Sequence, residues 1–174
     1  MDNDILDSLQ AVLTTTPTRW QSLAATLPPA LLRRPAAPGE WSALECLQHL
    51  IDAERGVFPV RARAFLAGQD LPAYDPDRQG TRLAAEVMPE ALAGEFAALR
   101  AESLGVLEHV TPADLKRQVR HEELGPVTLS QLLHEWAGHD LMHTVQAERA
   151  LMQPFIEGCG PWRMYFLDHV ASED

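Results

Sequence analysis

Cysteine is scarce in this sequence: Cys46 and Cys159 are the only two in 174 residues. Two thiols cannot build a disulfide scaffold, so stability must come from an apolar core, and a reduced, cytoplasmic setting is expected. Basic residues are also short, at 14 against 25 acidic ones, which gives a formal net charge of −11. A surface of that sign repels phosphate backbones, and only Arg33 and Arg34 are adjacent among the arginines, so no nucleic acid is expected as a partner. No apolar run approaches the roughly 20 residues of a membrane span. The acidic start, MDNDILDSLQ, lacks the basic region of a leader peptide. Neither a membrane partner nor a leader is therefore expected. Repeats, low-complexity tracts and strand-like alternation are missing as well. There is no GxSxG, phosphate-binding loop or dinucleotide fingerprint.

What the chain does have is apolar residues at helical spacing. A hydrophobic fraction of 46% over 174 residues suits one compact domain, 1–174. A first helix is predicted from a cap at Asn3 or Asp4 to about Leu27, burying Ile5, Leu9, Val12 and Leu13, with a kink or break at Pro17. PPALLRRPAAPGE reads as a turn-rich connection. A second helix opens at WSALECLQHLIDAERGVF, with Ser42 near its start, and extends to Leu66; Pro59 should bend it and Gly68 stop it. QDLPAYDPDRQG reads as a loop. A third helix is predicted from Pro89 to His109, with a short forerunner at Arg82 to Val87. TPADLKRQVRHEELGPV has a small helical start at Thr111 and room for a short hairpin. A fourth helix runs from Thr128 to Leu151, followed by an irregular tail in which Trp162 to His169 form a last short helix. The fold expected is all-α, an antiparallel four-helix bundle with long connections.

The fourth helix carries the chemistry. At about 100° per residue, Leu132, Trp136, His139, His143 and Ala150 share one side. His139 and His143 lie one turn apart and point the same way, so two imidazoles can reach one metal ion. Alone, such a pair is more often two hydrogen-bonded core histidines, or exposed ones, than a metal site; a third ligand makes it informative. His109, His121, His134 and His169 are candidates by type, but His134 points about 140° away from His139. His49 lies at the edge of the apolar face of the second helix, where a site can stay open to solvent. Glu45 and Asp52 share its side and read as solvated charges. Cys46, one turn before His49, suits a small core position. Asp140 can orient an imidazole or pair with an arginine. Three imidazoles with an open position fit a catalytic rather than a closed structural metal site.

EWSALECLQHLIDAE, followed about 90 residues later by LLHEWAGHDLMHTVQAE, resembles the DinB/YfiT-like superfamily of bacterial metal-binding helical bundles. FAALRAESLGVLEHV is similar to the family's third helix. The resemblance implies a four-helix bundle, a homodimer, and one divalent metal ion, zinc or nickel first, held by His49, His139 and His143. It further implies a metal-dependent S-transferase that uses a low-molecular-weight thiol such as bacillithiol or mycothiol on a small-molecule substrate; one related activity is a mycothiol-dependent maleylpyruvate isomerase. Hydrolysis through a metal-activated water is the alternative, and a non-catalytic metal-binding or stress-related protein is a third.

Overall fold

A computed structural model describes residues 2–73 and 82–171. Helix α1 spans Asp2–Thr26, the one-turn α2 Pro29–Leu32, α3 Ala43–Gly56, α4 Phe58–Ala67, α5 Pro89–Leu107 and α6 Leu129–Gly158. A two-stranded antiparallel hairpin, β1 Gln118–His121 and β2 Gly125–Thr128, precedes α6, and a 3₁₀ helix, Gly160–His169, follows it. The molecule is a four-helix bundle in which α1 packs on α5, α5 on α3, α3 on α6, and α6 on α1. Successive helices α1 and α3 thus lie across the bundle from each other, as do α5 and α6. Those two crossings explain the long connections that the sequence shows.

Capping boxes mark the starts of α3 and α6. Ser42 accepts from the Glu45 N–H while the Glu45 carboxylate accepts from Ser42 N, and Thr128 and Gln131 repeat the arrangement at α6. Prolines have three different outcomes. Pro59 falls in the first turn of a new helix, and the second predicted helix breaks at Val57 into α3 and α4, which Gly68 ends in the left-handed region. Pro154 lies inside α6, which runs on to Gly158 rather than ending near Leu151. Pro17 lies inside a continuous α1. Proline has no N–H for the carbonyl four residues back, which is that of Leu13. The Leu13 carbonyl instead accepts from Arg100 Nη1 at 2.8 Å, so the missing bond is replaced from α5.

Other expectations shift modestly. Leu6 rather than Ile5 is buried on α1, with Ile5 38% exposed. Arg82 to Val87 form a turn instead of a helical forerunner, with the Val87 carbonyl held by the Arg33 guanidinium. The predicted loop QDLPAYDPDRQG lies partly outside the described residues. The tail forms its helix, tied to α6 by Gln153 and Arg149. Its Trp162, Met164, Tyr165 and Leu167 face outward instead of packing on the bundle.

The core comes in two halves. One gathers Leu9, Leu13, Phe58, Leu107, Leu133 and Trp136; the other gathers Trp20, Leu47, Ile51, Leu92, Phe96 and Leu151. Between them each of the four bundle helices contributes buried polar residues: Thr16 from α1, Glu54 from α3, Arg100 and Ser103 from α5, Asp140, His143 and Thr144 from α6. Arg100 donates from Nε and Nη2 to Glu54 Oε1 at 3.0 and 2.7 Å, and from Nη1 and Nη2 to Asp140 at 2.6 and 2.9 Å. Its guanidinium also sits against the Phe96 and Trp136 rings. The candidate site borders this layer.

Candidate metal centre

The break at Val57 and the unbroken α6 set the site. The α3 helix ends soon after His49, and Phe58, the first residue of α4, is placed against the ring of His139 at 5.0 Å between centroids. His139 and His143 project from α6 one turn apart. The structure brings the three predicted histidines together: one ring nitrogen of each lies within 4.8 Å of the others. His49 Nε2 and His139 Nε2 stand 3.1 Å apart. His143 is buried, and His49 and His139 are half-buried.

Each ring is held. His143 Nδ1–H donates to Gln146 Oε1 at 2.8 Å, which leaves its Nε2 lone pair as the ligand atom. Trp41, just before the Ser42 cap, lies 4.9 Å from the ring of His49 and stacks at 5.6 Å on His143. His139 Nδ1 is buried with no hydrogen-bond partner among the described residues, so its ring makes its polar contact on the Nε2 side. Burial, and then the charge of the neighbouring rings, holds His49 down at about 4 and His139 at about 3, with Arg100 adding to the effect on His139. Burial likewise lowers His143, against the hydrogen bond that its ring donates to Gln146.

These features fit a divalent ion. Metal ligation requires the neutral imidazole, and the environment keeps all three rings neutral near pH 7. Two nitrogens each about 2.0–2.1 Å from one ion stand about 3 Å apart at octahedral or tetrahedral angles, compatible with the His49–His139 spacing. Two neutral rings whose Nε2 atoms face each other otherwise share at best one proton.

Other sequence candidates lie elsewhere. Cys46 is fully buried in the second core half, and burial pushes its thiol up to about 12, which suits a core residue and not a ligand. His134 is exposed and hydrogen-bonds the Ser130 carbonyl. His121 is buried beneath the hairpin, near Arg61. Glu45 serves the α3 cap, and Asp52 accepts from Gln48. Of the two roles open to Asp140, the structure gives it the arginine partner, Arg100. Trp41, Phe58 and Gln146 have no site role in the sequence reading. Gln146 was visible in principle, because it follows His143 by three residues on the same stripe.

A cleft of about 420 Å³ is walled by Trp41, Gln146, Met142, Val145, Glu40 and Arg149, with none of the three histidines in its lining. Trp41 and Gln146 belong to both the cleft and the ring supports, so a molecule in the cleft touches the shell of the site.

Comparison with known proteins now bears on this arrangement. The sequence model of the DinB superfamily matches residues 13–147, a span that contains all three histidines. The chain belongs to the DinB superfamily. A solved structure similar to this DinB chain is that of YfiT from Bacillus subtilis, described as a probable metal-dependent hydrolase with an unusual four-helix bundle topology. The two share 20% identity over 86% of this chain and 87% of YfiT, with a TM-score of 0.71, which is a likeness of fold. No curated protein sequence matches this DinB chain significantly. No described helix is long and apolar enough to cross a membrane.

Proposed function

We propose that this DinB protein is a metal-dependent S-transferase, joining a low-molecular-weight thiol to an electrophilic small molecule at a centre held by His49, His139 and His143. The observation that carries the reading is the convergence of three neutral imidazoles, two of whose supports, Trp41 and Gln146, also wall the 420 Å³ cleft. A divalent ion bound there, zinc or nickel first, supplies Lewis acidity that brings a coordinated thiol or water into the neutral pKa range.

The chain's own residues do the rest. Gln146 fixes the tautomer of His143. Trp41 and Phe58 fence the rings with apolar surface, which limits water around the cation. Among the described contacts of the rings are those with one another, with these two aromatics and with Gln146. Such an ion would supply an ionised thiol without a further base, and the apolar surface of Trp41 and Phe58 favours thiol transfer over attack by water. The two free cysteines suit the same reducing, cytoplasmic setting in which such thiols are kept.

Hydrolysis is the second reading, favoured by the description of YfiT as a probable metal-dependent hydrolase. Metal-loaded protein should be incubated with a chromogenic electrophile, with and without added bacillithiol, mycothiol or cysteine. Turnover that requires the thiol supports the transferase. Turnover in water alone selects the hydrolase, and loaded protein inert with thiols, electrophiles and esters sinks both in favour of a non-catalytic metal binder.

A further inference from the structure

The 420 Å³ cleft has one wall from the connection between α2 and α3, at Ala36, Glu40 and Trp41, and another from α6. On α6 its residues Met142, Val145, Gln146 and Arg149 follow at steps of one, three and four, so they form a single stripe. The tail adds Ala171, and that contact is fastened. Arg149 donates from Nε and Nη2 to the carbonyls of His169 and Val170 at 3.3 and 2.7 Å, and Gln153 Oε1 accepts from Ala171 N–H at 3.1 Å.

These bonds decide which polar groups the cleft offers. Gln146 Oε1 accepts the His143 Nδ1–H, so the group its amide has left is the –NH₂, a donor. Arg149, one turn on, has Nη1 without a partner among the described residues. The α6 wall thus carries donors and a positive charge. On the other wall, the exposed Glu40 makes no side-chain hydrogen bond or ion pair among the described residues. A carboxylate and a guanidinium therefore line one cleft without pairing, and Trp41, Met142 and Val145 complete it with apolar surface. We propose that this cleft binds a small zwitterion of the α-amino-acid type, its ammonium on Glu40, its carboxylate on Arg149 Nη1 and the Gln146 amide, and its side chain on the apolar residues.

Selection follows from the two charges. A simple acid meets like charge at Glu40, and a simple amine meets it at Arg149; a molecule carrying both charges meets neither. Trp41 and Gln146 place the bound molecule against the supports of His49 and His143. That the zwitterion is the thiol itself, a cysteine-type thiol with a free ammonium in preference to an N-acylated one, rests on the functional reading above. Binding in the cleft does not.

The test is therefore a binding measurement. S-methyl-L-cysteine, which has no free thiol, is titrated into the full-length protein and followed by heteronuclear NMR, beside its N-acetyl derivative and its methyl ester. Saturable shifts at Trp41, Val145 and Gln146 are expected, with each derivative about fivefold weaker, the scale of one exposed ion pair. Glu40→Gln should weaken the parent by a similar factor and leave the N-acetyl derivative unchanged. Glu135→Gln, the same change in a separate cleft between α4, the hairpin and α6, should have no effect. His139→Ala should bind the parent as the wild type does, which separates the cleft from coordination at the histidines. Absence of saturable binding, derivatives as tight as the parent, undiminished affinity in Glu40→Gln, or affinity lost in His139→Ala would overturn the proposal. Failure of every turnover assay leaves this readout intact, so the two readings fail separately.

Discussion

His139 touches both other histidines and Phe58, and its outer nitrogen has no partner among the described residues. A ring so placed has little to do structurally that leucine could not do better, and this makes it the sharpest test of the centre. Elemental analysis of His139→Ala is expected to show loss of the bound divalent ion, while His134→Ala, changed on the exposed face, keeps it. Gln146→Leu should retain the ion but bind it about 10–100-fold more weakly, because the His143 ring loses the acceptor that orients it. Acid sensitivity follows from the same residues. In the unfolded chain each imidazole titrates near its usual value of about 6.5. Folded, His49 waits until about 4 and His139 until about 3, held down by burial first. As pH falls through that window the unfolded state takes up protons that the folded state refuses, so stability is present above about 6.5 and drains away toward pH 3–4. Thermal midpoints of metal-free protein from pH 7 to 4 should fall accordingly, and replacing the three histidines by asparagine should flatten the slope.

The helices show how far a pattern can be read and where it stops. Apolar spacing located the four long helices, and Ser42, Gly68 and Thr128 act at ends where their chemistry places them. His139 and His143 were legible because they share one stripe, whereas His49 was singled out as the third by the resemblance that EWSALECLQHLIDAE carries, and the structure brings the three together. Arg100 was not legible. It occupies an apolar face one turn after Phe96, and an arginine there reads as a break in the pattern until its partners, 40 and 46 residues away, are known. The prolines were ambiguous for a related reason. Whether a missing N–H breaks a helix depends on what else can reach the orphaned carbonyl, and for Pro17 the replacement comes from α5. A prediction belongs here. Proline in a helix interior costs about 3 kcal/mol relative to alanine. Because Arg100 already serves the Leu13 carbonyl, Pro17→Ala should stabilise by clearly less than that in urea unfolding, and a full 3 kcal/mol gain would show that the replacement bond contributes little.

At the scale of the whole molecule, two faces remain to be matched with partners. Leu141, Met142 and Val145 on α6 are exposed, as are Phe155, Trp162 and Tyr165 toward the C-terminal end. That much apolar surface is more than isolated exposure accounts for, and we expect a homodimer that covers part of it. Light scattering across a concentration series should give about twice the 19.3 kDa chain mass; the single mass throughout would rule the dimer out. The polar layer between the core halves makes a different demand. Arg100→Met should cost about 3–5 kcal/mol by leaving two buried carboxylates without their cation, whereas Glu54→Gln, which keeps an acceptor for Trp136 and Arg100, should cost much less. Differential scanning calorimetry of the two variants would compare them directly. Four amphipathic rods of similar length have many near-equivalent ways to lie together, because oily stripes slide past one another at little cost. Here one cation finds a bare carbonyl and two anions at a single height. Sliding α5 by one turn, about 5.4 Å, strands all three charges away from water. The layer therefore works as an index mark: it tells each helix where along its neighbours to stop, and with that stop it brings His49 level with His139 and His143.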